Sequence, residues 1–368
     1  MKIAVVILNW NTRDFLAGFL PGVVDSARAG EGHHTYEVVV ADNGSGDGSA
    51  AFVKENFPSV KVLEFKENYG FTGGYNKALG LLEGYDCFLL LNSDIEVPKG
   101  WLQPLADFME NNPCCGVCAP KLHAFQDRES FEYAGAAGGY IDKYGFPFAR
   151  GRVLKWLEKD TGQFDEPGAR VFWATGACML VRCSLWRALG GLDSRFFAHM
   201  EEIDFCWRAQ LAGYTVNVVP EAVVYHVGGG TLPASSARKL KFNYRNNLLM
   251  LRNNLAKTLA LDYLHSGLAP GKAARKGRRK AARRILGRMV LDGASAAVFL
   301  LTGRFREFAT VLTAHREYRK LKTEPSAKEI EEFLKTCKNA SVTGVYRKCM
   351  PVRAIVFRKR TFFSIFAS

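Results

Sequence analysis

IAVVILNWN, residues 3–11, is the stretch that decides how the rest of the chain is read. Six apolar residues run without a polar one between them, the pattern of a strand covered on both faces. The run stops at Asn9, and Asn11 follows within two residues. Working outward, residues 12–29 show helical spacing through Phe15, Phe19 and Val23. The strand pattern returns at 36–41, 60–65 and 87–91, with helix-like stretches at 48–56, 73–82 and 99–111 between. This alternation predicts an α/β fold, a mostly parallel sheet with helices on both sides. Ligands of such sheets sit beyond the carboxyl ends of the strands. Three polar segments fall on that edge: 9–11, 42–47 and 92–94.

Further along, residues 121–170 are rich in glycine and aromatics and read as elaborated loops. Regular signals return with a strand over 177–182 and a helix from Glu201 to just before Gly213. Strands are expected at 214–219 and 223–226. After the glycines at 228–230 the composition changes. Residues 238–320 read as helical and strongly basic, and a short helix is expected at 327–336. The tail VRAIVFRKRTFFSIF, residues 352–366, mixes bases with aromatics. The expected division is an α/β domain over 1–235 and a basic, mainly helical region over 236–368.

The net charge of +14 is unevenly placed. Residues 1–230 carry 20 Lys and Arg against 28 Asp and Glu, whereas residues 231–368 carry 30 against 8. The basic run GKAARKGRRKAARR, residues 271–284, suits a solvated face, an anionic membrane surface or nucleic acid. No nucleic-acid module is recognisable, so no nucleic-acid partner is expected. The nine cysteines are irregularly spaced, and Cys114, Cys115 and Cys118 have no second ligand cluster nearby. They read as reduced, buried thiols of a cytoplasmic protein. No apolar run reaches the length of a membrane-spanning helix.

Several residues carry chemistry. Asp42 opens DNGSGDGS at a strand end, where a carboxylate suits a base or ribose; a plain tight turn is the alternative. Asp94, in LLLNSDIEV, suits a divalent cation bridging phosphates, or else starts a turn. Glu201, Glu202 and Asp204 crowd a helix start, as helix caps or as mutually repelling carboxylates fit for general-base work. His226 ends a strand beside glycines and suits a metal or a phosphate, with a structural role as the alternative.

These pieces, in order, resemble the family 2 glycosyltransferases of GT-A fold. The matching segments are VVILNWNT (5–12), DNGSGDGS (42–49), ENYGFTGGYNKAL (67–79), LLLNSDIEV (89–97), GACMLVR (176–182), FFAHMEEIDFCWRAQLAGY (196–214) and YHVGG (225–229). They span about residues 1–255 and look most like the rhamnosyl- and galactofuranosyltransferase branch that builds bacterial surface polysaccharides. The resemblance implies an inverting transfer of a sugar from a nucleoside-diphosphate sugar, such as a UDP- or dTDP-sugar, to a hydroxyl of a lipid-linked or glycan acceptor. It places Asn9, Asn11, Asp42, Asn68, Gly70, Asn76, Asn92 and Ser93 around the donor. Asp94, with His226, would hold Mg²⁺ or Mn²⁺. Glu202 would be the base, with Glu201 its rival and Asp204 beside them. Two positions depart from the family pattern: Asn92 stands where the metal motif begins with Asp, and Glu202 where the base is usually Asp.

A lipid-linked acceptor gives the basic region a purpose, and attachment to the cytoplasmic face of the inner membrane is expected. Arg245, in KFNYRNNLLMLRNN (241–254), is read as a diphosphate contact or as packing. The stretch 131–152 suits acceptor or donor-sugar recognition, or is an irregular insert. Two rival functions remain, a sugar-phosphate nucleotidyltransferase and a non-catalytic binding protein. The first lacks its phosphate loop after the first strand, where this chain has NWNTRDF, and the second would have shed Asp94 and the 201–204 carboxylates.

Overall fold

The computed structural model describes residues 1–29, 32–228 and 236–367. From the N-terminus the chain runs through β1 (Lys2–Asn9), α1 (Arg13–Ala29), β2 (Thr35–Asp42), α2 (Ser49–Asn56), β3 (Lys61–Glu64), α3 (Gly70–Gly80) and β4 (Cys87–Asn92). Next come β5 (Ile95–Glu96), α4 (Leu102–Asn111) and β6 (Cys115–Ala124). Four short strands follow: β7 (Gly139–Asp142), β8 (Pro147–Ala149), β9 (Arg152–Val153) and β10 (Trp156–Leu157). The α/β part closes with β11 (Cys178–Arg182), α5 (Cys183–Ala188), α6 (Glu201–Leu211) and β12 (Thr215–His226). Helices α7 (Ala237–His265), α8 (Pro270–Leu301), α9 (Phe305–Leu321) and α10 (Ala327–Thr336) lead to β13 (Val345–Tyr346), α11 (Met350–Ile355) and α12 (Phe362–Phe366).

Eight strands form the main sheet in the order β3-β2-β1-β4-β11-β6-β12-β5. It is parallel except at β11, which runs against β4 and β6, and at β5, which runs against β12. The unbroken apolar run of β1 is explained by its two neighbours in depth. Ile3, Val5 and Ile7 pack with Leu16 and Leu20 of α1 and Leu105 and Met109 of α4. Ala4 and Val6 point into the other core, with Tyr75 and Leu79 of α3 and Phe205 and Trp207 of α6. Alternate side chains thus serve opposite layers, and neither face can be polar. The strands expected at 214–219 and 223–226 are one, β12, whose register shifts between Val219 and Val223. The α/β architecture and the helical C-terminal region are as the sequence predicts.

Residues 121–170 are not the loops expected. Strands β7 to β10 and β13 form a second sheet in the order β10-β9-β8-β7-β13. Strands of two to four residues are too short to show alternation, and glycines set the turns between them. At Gly151 the backbone takes φ +89°, and a Cβ there would meet the Phe131 ring at 2.2 Å. The parallel pair of β13 with β7, Val345 beside Ile141, joins the end of the chain to this sheet. Phe362 packs on Tyr140 and Phe148 from outside. One apolar cluster therefore includes Phe131 and Trp173 from the α/β part with Leu248, Ala273, Tyr318 and Met350 from the helical region. The division expected between 235 and 236 falls against residues outside the described set.

All nine cysteines are free thiols, and six of them are buried. Burial pushes the Cys87 and Cys178 thiols far up, so neither ionises near neutral pH. Among the described residues no helix is long and apolar enough to cross a membrane.

Candidate active site

The carboxyl ends of β1 and β4, the start of α6, the second sheet and the helices α7 and α8 enclose one cleft of about 1140 Å³. Its lining runs from Leu8 and Asn92 at the strand ends to Leu291 of α8 and Met350 of α11.

At the strand edge the polar residues hold one another. Asn9 donates to Asp42 Oδ1 at 2.8 Å and to Ser45 Oγ at 3.1 Å. The other oxygen of Asp42 accepts the Ser45 N–H at 3.0 Å. Asn11, at φ +52°, accepts the Gly46 N–H at 2.8 Å. Asn9, Asn11 and Asp42 thus brace the 42–47 loop behind the cleft and are not among its lining side chains. Asn43, which sequence reasoning passed over, does line it, and donates to Asn68 Oδ1 and to the Gly70 carbonyl. Asn68 and Gly70 line the cleft as expected. Gly70 has φ +72°, and a Cβ there would lie 2.7 Å from the Phe197 ring, so the position admits glycine alone. Asn76 is a correction: its amide exchanges two hydrogen bonds with the backbone of Leu192, fastening α3 to the 190s loop away from the cleft.

Asn92, Ser93 and Asp94 all line the cleft. Asp94 Oδ1 lies 3.2 Å from His226 Nε2. On the other side of the ring, Glu132 Oε2 lies 3.2 Å from Nδ1, close enough for an ion pair but off the line of a hydrogen bond. Burial works to pull His226 down, yet the two carboxylates outweigh it and push its pKa up to about 10. Burial likewise works to raise Asp94, and the His226 contact overrides it, holding Asp94 below the usual carboxylate range. A carboxylate oxygen and an imidazole nitrogen are suitable donors for a hard divalent cation. Their 3.2 Å separation is close to the roughly 3 Å between adjacent corners of an octahedron with bonds of about 2.1 Å. The residues therefore fit the cation expected from the sequence. Glu132 sits in the 131–152 stretch, and its proximity to His226 had no local sequence signal.

The other candidate residues are carried by α6, and the chain enters that helix under strain. Phe197, His199 and Met200 have φ of +65°, +71° and +73°. Bulky residues seldom adopt such angles unless the surroundings impose them. Here α7 imposes them. Asn246 donates to the carbonyls of Phe196, Ala198 and His199 at 2.7–3.0 Å, and Arg245 donates to those of Arg195 and Phe196. Arg245, paired with Glu317 as well, is a clamp on this loop and is not among the cleft's lining residues.

The clamp presents Glu201 and Glu202 to the cleft. Glu201 is 4% exposed, with Oε2 unpartnered; burial and the neighbouring Glu202 push its pKa well above the ordinary value. Glu202 is partly buried, and burial raises it to about 7. Asp204 is a second correction. It is 0% exposed, accepts from Arg208 Nε at 2.7 Å and from Asn253 and Asn254, and ties α6 to α7. His199 lines the cleft with Nε2 unpartnered, and burial lowers its pKa to about 4.

The model of the family described as Glycosyl transferase family 2 matches residues 4–187. An N-acetylglucosaminyl-diphospho-decaprenol L-rhamnosyltransferase of Mycobacterium tuberculosis is 28% identical over 232 residues, covering 58% of this chain and 74% of that one. Rhamnosyltransferase WbbL of Escherichia coli K12 is 39% identical over 234 residues, covering 61% and 83%. Among solved structures, GalNAc-T7 with UDP, GalNAc and Mn²⁺ superposes with a TM-score of 0.52 at 17% identity, over 76% of this chain and 55% of that one. That likeness speaks to the fold.

Proposed function

This chain belongs to glycosyl transferase family 2, and on that premise we propose an inverting transfer from a UDP- or dTDP-sugar to a hydroxyl of a lipid-linked acceptor at an anionic membrane surface. The fold is GT-A and the activity is that of a glycosyltransferase. The direction of the stereochemistry, the donor and the acceptor are the proposal. A lipid-diphosphate acceptor is favoured by the relative that acts on N-acetylglucosaminyl-diphospho-decaprenol, and a nucleoside-diphosphate donor by the UDP-bound neighbour of the same fold.

One observation carries the mechanism: a carboxylate with a pKa of about 7, Glu202, lines the same cleft as the Asp94–His226 pair. A general base works best when its pKa lies near the working pH. Glu202 takes the proton of the acceptor hydroxyl as its oxygen bonds to the anomeric carbon. The bond from that carbon to the diphosphate breaks, and its electron pair leaves with the phosphate oxygen. A single displacement of this kind inverts the centre. Burial beside Glu202 raises the Glu201 carboxyl well above its ordinary range and so disfavours a second negative charge in the site. Asn43, Asn68 and Gly70 line the strand edge where the nucleoside sits. Asp94 and His226 would hold a divalent cation, which when bound would supply positive charge against the departing diphosphate. A second reading follows from His226 itself: with a pKa near 10 it is an imidazolium at neutral pH and offers one positive charge unaided.

The test is calorimetric binding of UDP, dTDP and GDP with Mg²⁺ or Mn²⁺ and then with EDTA. Binding of UDP or dTDP that EDTA abolishes supports the cation reading, and binding that survives EDTA supports the imidazolium. A folded protein that binds none of the three sinks the proposal.

A further inference from the structure

Arg152, in β9, lines the cleft and yet is only 6% exposed. A guanidinium stays protonated at any working pH, so this is a fixed positive charge drawn out of water. It is poorly matched by the protein. Nε has no hydrogen-bond partner, and the single bond made by the side chain is a long one, 3.4 Å from Nη1 to the Leu154 carbonyl. Among the described residues no carboxylate comes within 4.0 Å of it. Its nearest companion is the ring of Tyr133, 4.6 Å from the guanidinium carbon, and that side chain is largely exposed at the cleft.

The other buried arginine of the cleft shows what a satisfied one looks like. Arg288 pairs with Asp292 at 2.7 Å, donates to Asn247 and covers the Phe146 ring at 3.9 Å. Arg152 has no such set. Burying a cation without a counter-charge is costly, and the cost is offset when an anion brings two oxygens to the fork. Burial pulls the guanidinium below its usual range, and Tyr133 and the more distant Glu132 carboxylate offset that only in part.

We propose that Arg152 is the anion-receiving residue of this cleft, taking phosphate oxygens of a bound diphosphate. This rests on the glycosyltransferase reading, in which both reactants carry a diphosphate: the nucleotide of the donor and the lipid link of the acceptor. Glu132, beside His226, immediately precedes Tyr133, so Arg152 stands on the wall shared with the Asp94–His226 pair.

The experiment compares the full-length protein with Arg152→Met and Arg152→Lys. Affinities for UDP, dTDP and farnesyl diphosphate are measured by calorimetry, and the melting temperature is measured without ligand. Arg152→Met is expected to melt at or above the wild-type temperature, because a buried charge with no ion pair has been removed. Its affinity for a diphosphate is expected to fall roughly 10- to 100-fold, with Arg152→Lys falling less. A loss for UDP or dTDP identifies the donor as the source of the phosphate; a loss for farnesyl diphosphate alone identifies the acceptor. Unchanged affinity for all three probes overturns the inference, and a lowered melting temperature with unchanged affinity assigns Arg152 a structural role instead. If the wild-type protein binds no diphosphate at all, the glycosyltransferase reading itself has failed.

Discussion

Two adjacent glutamates do different work because one residue step along α6 turns their side chains into different surroundings. Both line the cleft, but Glu201 is the more deeply buried and its pKa is pushed well above the ordinary value, while Glu202 stands at about 7. Transfer should therefore rise with pH and level off above about 7, and Glu202→Gln should lower it roughly 100- to 10 000-fold without weakening donor binding. The stability effect has the opposite sense. A carboxyl whose folded pKa is raised contributes stability below its unfolded value of 4.5, and that contribution is lost as pH rises through 7. Glu202→Gln should thus match wild type near pH 4.5 and exceed it at pH 8, by on the order of 3 kcal/mol in denaturant melts. A variant that is both active and no more stable at pH 8 would show that the base lies elsewhere. The sequence made this pair legible as acidic residues at a helix start. It gave no means of separating Glu201, Glu202 and Asp204, because their roles depend on Arg208, Asn253 and Asn254, which arrive from other turns and another helix.

Helix α7 sets the geometry of the element next to it. The loop over 196–200 carries three non-glycine residues at positive φ, and the side chain of Asn246 closes three of its carbonyls at once. Each strained residue costs about 1–3 kcal/mol and persists only while its surroundings hold it. Asn246→Ala should cost about 3 kcal/mol in unfolding free energy, and kcat should fall more than KM rises, since the carboxylates lose their placement. A fall in stability with kcat untouched would show that the loop keeps its shape without the clamp. The strand–helix order of residues 1–111 was readable from hydrophobic period because β1, β2 and β4 are six to eight residues long and buried on both faces. The second sheet was not, since β9 and β10 have two residues each and β13, the partner of β7, lies about two hundred residues further along the chain. Arg245 was equally hidden, since besides Glu317 it holds backbone carbonyls of the 195–196 segment that no side-chain pattern marks.

Across the whole molecule the charge is divided, and α8 carries the division along its length. Lys272, Arg275, Arg279 and Arg283 are exposed on one face, and the same face continues as Leu286, Val290, Ala297 and Leu301, the last 86% exposed. The apolar half spans about 22 Å. Across the helix from it, Arg288, Leu291, Asp292 and Ser295 line the cleft. A membrane held by this face would lie one helix diameter from the cleft wall that α8 forms, a placement that suits the lipid-linked acceptor proposed above. The protein should sediment with vesicles containing anionic lipid and release in high salt, and Leu286→Ser with Val290→Ser should weaken that binding while leaving the melting temperature unchanged. Equal sedimentation with neutral and anionic vesicles would remove the basic face from the account. The pairing of Val345 with Ile141 bears on how such a molecule is made. During synthesis the main sheet has all of its strands once residue 226 is out, but the second sheet waits for a strand that emerges more than a hundred residues later. The wall of the cleft that carries Arg152 therefore matures last, and a nascent chain stalled before residue 345 holds a nucleotide-side edge without a finished place for the second reactant.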